Sequence, residues 1–476
     1  MSEGMTRRDA LKMSGLALGG LAVASVVGGC GDSSPDQPPP DPTNTNSIMN
    51  DLDPYYPGTE TLGADEMRIT FLGTSPIPRT AQECNSIFVE VGSGDQFVFD
   101  CGTGVVAKYN AMGIGNARMN KIFLTHIHAD HMSDLCFIYC FGPATDRKSP
   151  LYIWGQTKSG VPDPVTGQIY EDGLKAYCER LREVCRWHTE SFSFGATSYA
   201  SYVPPTQADW GLPVAPVPVA NDSPTDGYAM VPIELDWTKY GATPGDNVAY
   251  DNKTTGVKIT HLPAIHTRKG SMSYRLEWNG MSMVFSGDTK PNYYMVDQAG
   301  GLDLFIHEMV VPADVWAMKN LGITSPDQVD ESVWNAAYNY ALAVQNSSHT
   351  PQGAFGYVLS QLNPPPRLAV ATHFQATDDT IDSAMQSIRE HYPNGDVTIA
   401  ADYMVLNVTP DTITQRRAVV SEWAWYPRAT LYPDTNVPKY HNADGSSAPT
   451  AQVDMSQAIP STDPATGNVN YRDDGY

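Results

Sequence analysis

The chain has 476 residues, 41% of them hydrophobic and 10% aromatic, which is enough to bury a large core and, by length, to form two or three domains. Its formal net charge of −23 argues against tRNA or DNA as a partner, because such binding needs a basic surface that releases phosphate counterions.

At the N-terminus, Thr6-Arg7-Arg8-Asp9-Ala10-Leu11-Lys12 precedes an apolar run from Leu16 to Val27 that ends Val27-Gly28-Gly29-Cys30. Paired arginines before a modest apolar stretch resemble a twin-arginine export signal, and the ending resembles a lipobox whose cysteine is lipidated. The run is glycine-rich and shorter than the ~20 residues that span a bilayer. The expectation is a signal over 1–29, a lipid on Cys30 as membrane anchor, and an exported protein, periplasmic or at the cell surface. Residues 30–55, rich in Pro, Asp, Ser and Asn, read as a disordered tether. The remaining cysteines, Cys84, Cys101, Cys136, Cys140, Cys178 and Cys185, allow fifteen pairings. Folding before export favours buried free thiols for them.

From Met67 onward short strands and helices alternate. Strands are predicted at 68–74, 86–91, 96–100 and 121–125, and helices at 104–112 and 171–187. Residues 189–256, rich in Pro, Gly, Ser, Tyr and Asp, read as an insertion. Strands resume at 256–262, 273–278, 281–286 and 302–306. A helix is predicted over 327–345, and a second from an N-cap at Thr350 with Pro351 at its first position to about Leu362. Strands at 368–372, 396–400 and 404–408 follow. The catalytic domain is expected to span 56–410, with 411–476 as an irregular extension whose Trp423 and Trp425, with the tyrosines of the insertion, could form an aromatic pocket.

His126-Ile127-His128-Ala129-Asp130-His131 places three imidazoles and a carboxylate in six positions between a strand and an apolar helical stretch. In an extended turn His126 and His128 point to one side, and Asp130 and His131 at the helix entry reach a second point nearby. Imidazole with carboxylate suits two divalent ions, zinc first, with manganese or iron as alternatives. Further ligands must come from elsewhere in the chain.

Phe71-Leu72-Gly73-Thr74, Phe99-Asp100-Cys101-Gly102, His126–His131, Phe285-Ser286-Gly287-Asp288-Thr289 and Thr372-His373 occur in that order. In these segments the chain resembles the metallo-β-lactamase superfamily, and within it the ribonuclease Z and arylsulfatase-like branch, over roughly 67–190 and 256–410. The resemblance implies an α/β fold, an αββα sandwich of two mixed sheets with helices outside, plus the insertion. It implies that His266 joins His126 and His128 on one metal, with His261 as the competing imidazole. His373 joins Asp130 and His131 on the other, Asp288 bridges both, and Asp100 orients the histidine loop. It further implies that Glu308, in Ile306-His307-Glu308, orients His349, which donates a proton to the substrate. A metal-activated hydroxide would then cleave a small anionic ester: a phosphodiester, organophosphate or sulfate ester. Catalysis is assigned to Asp130, Asp288, Glu308 and His349.

Ribonuclease Z activity is the alternative. Against it stand the charge, the export signal and a missing arm: in short ribonuclease Z forms the tRNA-gripping arm lies between the third histidine and the bridging aspartate, where only 21 residues separate His266 from Asp288 here. A lactonase, or a surface protein that binds metal without catalysis, completes the alternatives. The sequence leaves the oligomeric state open.

Overall fold

The computed structural model describes residues 52–143, 145–147, 149–185, 187–188, 227–240, 245–425, 461–462 and 469–470. The expected signal, Cys30, almost all of the tether, residues 189–226 of the insertion and the extension past 425, save two residue pairs, lie outside them.

The first half of the chain runs β1 (Asp53–Tyr55), β2 (Met67–Gly73), β3 (Ser86–Val91), β4 (Gln96–Phe99), α1 (Val105–Ala111), β5 (Lys121–Phe123), α2 (Ala129–Met132), α3 (Leu135–Phe141), β6 (Leu151–Gln156), α4 (Leu174–Val184) and β7 (Met230–Leu235). The next part supplies β8 (Val248–Asn252), β9 (Val257–Pro263), β10 (Met272–Trp278), β11 (Met281–Phe285), α5 (Tyr293–Gln298), β12 (Leu304–Glu308), α6 (Ala313–Leu321) and α7 (Glu331–Ser348). Then come α8 (Gln352–Gln361), β13 (Leu368–Thr372), α9 (Asp378–His391), β14 (Val397–Ile399), β15 (Met404–Val408) and β16 (Ile413–Ala418). Among the described residues the strands form two mixed sheets, β1-β16-β15-β2-β3-β4-β5-β6-β7 and β14-β13-β12-β11-β10-β9-β8. A separate unit over 432–476 contributes a ladder of Ser461–Thr462 with Val469–Asn470.

The period-two alternation of the strands sorts their side chains into layers. Met67, Ile69 and Phe71 of β2, Phe97 and Phe99 of β4, Met281, Met283 and Phe285 of β11, and Leu368 and Val370 of β13 join one core cluster between the sheets. Their neighbours turn outward: Leu72 and Val98 pack with residues of α1, α3 and α4, and Val284, Ala369 and Ala371 with residues of α8 and α9. Three buried layers therefore separate helix, sheet, sheet and helix, the αββα arrangement. At the centre Phe123 lies flat on Trp154, with ring centroids 4.4 Å apart and planes at 2°. Burying each such side chain contributes about 1.5–3 kcal/mol.

The structure adjusts the sequence reading at the edges. The region read as an irregular insertion contributes β7 and β8, the outermost strands of the two sheets. Pro232 inside β7 obscured its pattern, and an edge strand tolerates the missing donor. The sheet also passes both expected boundaries of the 56–410 domain, since β1 pairs with β16 through Asp53–Arg416 to Tyr55–Ala418. Thr350 is not the N-cap of α8. It is buried, its hydroxyl donates to the Thr289 carbonyl (2.7 Å), and Pro351 takes the cap position.

Candidate metal centre

Parallel neighbours deliver their following loops to one end of a sheet. β4 and β5 are parallel, as are β11, β12 and β13. The residues at or just beyond their C-terminal ends are Asp100, His126–His131, Asp288, Glu308 and His373, and they converge. Strand phase chooses between the two polar residues ending β12. Leu304 and Ile306 face the inter-sheet core and Phe305 the helices. His307 therefore turns toward Phe355, whose ring lies 5.8 Å away, and Glu308 turns into the site.

Two donor groups share one carboxylate. His126, His128, His266 and Asp288 form the first, and Asp130, His131, His373 and Asp288 the second; within each, the donor atoms lie within 4.8 Å of one another. His128 Nδ1 is 2.8 Å from His126 Nε2 and 3.2 Å from His266 Nε2. Asp288 Oδ2 lies 3.9 Å from His126 Nε2 and 3.7 Å from His266 Nε2. Its Oδ1 lies 3.1 Å from His131 Nε2 and 3.4 Å from His373 Nε2. Asp130 Oδ2 closes the second group at 3.3 Å from both of those nitrogens. His261 is buried within β9 and belongs to neither group, whereas His266 stands beside His126 and His128.

The outer contacts fix the rings. Burial raises the Asp100 carboxyl, but the donors around it favour the carboxylate, which accepts from His131 Nδ1–H on Oδ2 (2.7 Å) and turns Nε2 to the site. Asp100 also accepts from the Thr125 backbone N–H (2.7 Å) and hydroxyl (2.8 Å), pinning the start of the histidine segment. His266 Nδ1–H donates to the Ser348 carbonyl (2.9 Å), again leaving Nε2 inward. Asp100 and His373 sit at φ +56° and +57°, a left-handed conformation that costs non-glycine residues roughly 1 kcal/mol or more and is held here by these contacts. Two glycines make the loops fit. A Cβ on Gly102 would lie 2.1 Å from the Asp130 carbonyl oxygen, and one on Gly287, itself at φ +56°, would lie 2.4 Å from Thr125 Cβ.

The donor set suits divalent metal ions. Burial, aided by the His131 charge, holds His126 well below the usual imidazole range, and burial brings His266 down to about 4, so both rings are neutral with a lone pair to offer. Burial opposes the charge of Asp288, but His373 and His131 beside it hold its carboxyl well below the usual range. Its Oδ1 is buried without a hydrogen-bond partner. A buried carboxylate set between two groups of imidazole nitrogens is the arrangement cations complete, displacing the protons that His131 and His373 carry beside it. Removing Asp100 should loosen this arrangement: Asp100→Ala is expected to weaken metal affinity about 10- to 100-fold, read by competition with a chromogenic chelator, and unchanged affinity would show that the loop holds itself.

Beside the groups, His349 Nδ1 lies 2.9 and 3.2 Å from the two oxygens of Glu308 and 3.9 Å from Asp288 Oδ2. Burial pulls the imidazolium down, yet the hydrogen bond and charge of Glu308 outweigh it and raise the His349 pKa to about 9. Glu308 is itself held by the Thr289 backbone N–H (2.5 Å).

Two clefts flank the cluster. One, of about 290 Å³, opens at His126 and His128 and carries Tyr177, Arg180, Arg268 and Lys269 on its walls. Asp172 offsets part of this charge through an ion pair with Arg268 (2.5 Å). The other, of about 150 Å³, opens at His349 and His373 and is walled by Ile77, Val310, Val311, Trp316 and Val344. The expected aromatic wall from Trp423 and Trp425 is not what lines them. Both tryptophans are exposed, and Trp425 borders a different cleft, with Tyr55, Pro57 and Met112. The lining of the apolar cleft carries no motif in the sequence, and neither does the Ser348 carbonyl.

Residues 67–175 match a family model described as "Anti-Pycsar protein Apyc1". Ribonuclease Z of Mycobacterium bovis (strain BCG / Pasteur 1173P2) is 27% identical over 251 residues, covering 51% of this chain and 70% of that protein. The two mixed sheets with helices outside are those of the metallo-β-lactamase fold. Ribonuclease Z of Pyrococcus furiosus is 24% identical over 245 residues, covering 51% of this chain and 74% of that protein. Among solved structures, the metallo-β-lactamase fold protein YhfI of Bacillus subtilis aligns with 16% identity and a TM-score of 0.43, over 72% of this chain and 100% of that one. Human tRNase Z, short form, aligns with 20% identity and a TM-score of 0.38, over 71% and 98%.

Proposed function

We propose that the chain is a metal-dependent hydrolase of small anionic esters, with a phosphodiester, organophosphate or sulfate ester as substrate. The observation that carries this reading is the split carboxylate of Asp288, one oxygen toward each histidine group, with the charged His349–Glu308 pair alongside. His126, His128 and His266 would hold one divalent ion, zinc first, and Asp130, His131 and His373 a second. When bound, such a pair supplies Lewis acidity and eases the deprotonation of water. The protein's own groups do the rest. Glu308 keeps His349 protonated and aimed, so that Nε2–H donates to the departing oxygen. Arg180, Arg268 and Lys269 attract the anionic substrate along one cleft. The apolar cleft lies on the His349 side, where the leaving group departs, and favours an aryl or alkyl group there.

The test is a panel of bis-p-nitrophenyl phosphate, p-nitrophenyl sulfate, a methyl-leaving-group phosphodiester, a lactone and a precursor tRNA. Turnover of small phosphate or sulfate esters is expected, with KM for the aryl ester raised about tenfold in Trp316→Ala and KM for the methyl ester unchanged; tenfold corresponds to losing roughly 1.4 kcal/mol of contact. Cleavage of tRNA alone would reassign the function, and bound metal without any turnover would make the chain a binding protein.

A ribonuclease Z reading is favoured by the names of the curated relatives. Against it stand the charge of −23 and the connection between His266 and Asp288. That connection is filled by β10 and β11, which pair from Tyr274–Phe285 to Trp278–Met281 across a two-residue Asn279-Gly280 turn, leaving no arm.

The cell location belongs to the same proposal. The twin-arginine pattern and Val27-Gly28-Gly29-Cys30 support an exported, lipid-anchored protein. Cys30→Ser is expected to move the full chain from the membrane fraction to the soluble one, and an unchanged distribution would count against lipidation.

A further inference from the structure

Three of the cysteines gather away from the centre described above. Cys136 and Cys140 stand four residues apart on one face of α3, and Cys185 caps the C-terminus of α4. Their three sulfurs lie within 4.8 Å of one another, and Cys136 Sγ is 3.6 Å from Cys185 Sγ. Cys140 and Cys185 are buried, whereas Cys136 is exposed and leaves one side open to solvent. Beyond Cys185 the chain turns back, and His188 Nε2 meets the Cys140 carbonyl at 2.9 Å.

We propose that Cys136, Cys140 and Cys185 form a second, all-sulfur metal site that binds one thiophilic d¹⁰ cation, Zn²⁺ or Cu⁺. The spacing supports this chemistry. Thiolates 2.3 Å from a zinc ion, set at tetrahedral angles, stand about 3.8 Å apart, close to the 3.6 Å between two of these sulfurs. A disulfide would use only two of the three sulfurs and would need an oxidant. The site also differs in kind from the centre beside Asp288, which offers only nitrogen and oxygen. Soft sulfur donors select soft or borderline cations, so one chain can hold both kinds without exchanging them freely. Binding breaks three S–H bonds, forms three sulfur–metal bonds and releases three protons to solvent. Burial raises the Cys140 and Cys185 thiols, so a cation must displace their protons as it binds. The site would tie the helix that follows the His126–His131 segment to the end of α4.

The two kinds of centre can be separated spectroscopically. The reduced full-length chain is titrated anaerobically with Co²⁺, whose thiolate complexes give an intense charge-transfer band that nitrogen and oxygen ligands do not. The wild type is expected to show the band, and Cys136→Ser and Cys185→Ser to lose it and bind one cobalt fewer per chain. Ester turnover and the far-ultraviolet circular dichroism spectrum are expected to stay unchanged. Because Cys136 is exposed, its serine variant tests the site without disturbing the core. Displacement of the band by Zn²⁺ or by chelator-buffered Cu⁺ tells which cation is preferred. Absence of the band in the wild type, its persistence in both variants, or a Cys136–Cys185 disulfide found by non-reducing mass spectrometry of the purified chain would overturn the proposal.

Discussion

Asp288→Ala is expected to lower kcat/KM for any ester the protein cleaves by on the order of 10³ or more and to empty both metal positions together. The expectation follows from one side chain serving both donor groups. Its Oδ2 is 3.7 and 3.9 Å from the ring nitrogens of His266 and His126, and its Oδ1 is 3.1 and 3.4 Å from those of His131 and His373. Removing it takes a negative charge from among five buried or half-buried imidazoles, a loss no neighbouring group replaces. His266→Ala provides the contrast. It touches only the first group and should release a single ion, with a smaller loss of rate. Metal analysis alongside steady-state kinetics separates the cases: an Asp288→Ala protein that keeps two ions and turns over within tenfold of wild type would remove the bridging role.

His349→Asn should reduce kcat about 10²- to 10⁴-fold for esters with poor leaving groups and far less for p-nitrophenolate, which departs without a proton. Glu308→Gln should follow it at reduced size, since the carboxylate acts by keeping the ring charged and oriented across 2.9 Å. The sign of the pH effect is fixed by the role. An acid works only while protonated, so kcat for a poor leaving group falls as pH rises through the His349 pKa, raised to about 9, and the same limb should vanish in His349→Asn. A leaving-group-independent loss, or an unaltered high-pH limb, would place His349 in support of the metal ligands instead.

What could be read from the sequence was chemistry carried by local spacing. His126–His131 announced itself because a strand followed by a helix entry leaves its polar residues few ways to face but together. Asp288 and His373 were legible through the family resemblance of their segments, and the fold brings both beside the histidine segment because each follows an apolar strand that ends there. The resemblance favoured His266 over His261, five residues apart, and the tertiary placement brings the His266 ring to His128. The edges escaped for a different reason. β1, β7 and β8 are short or interrupted and β16 is mostly polar, and they owe their conformation to the neighbour they pair with more than to their own pattern. Glu308 was assigned to the site, but that His307 turns away is a matter of strand phase, which needs the register of β12 with β13. Trp316, Val311 and Val344 meet in one cleft from three positions on the chain, and no linear spacing marks them.

The apolar wall beside the centre is drawn mostly from a different stretch of chain from the groups inside it. The nitrogen and oxygen donors stand on loops or the short helix α2 beyond the ends of strands, whereas most of the apolar wall comes from the 310–345 segment running through α6 and α7. Leaving-group preference can therefore drift by exchange of Trp316 or Val344 while the cation geometry stays as it is, which makes the scaffold easy to repurpose. One thread crosses that division: the Ser348 carbonyl at the end of α7 steers His266, and His349 is the next residue. A change that shifts the last turn of α7 would retune cation affinity and proton donation at once, so new specificities on this frame should arise at the start and middle of the segment and spare its end.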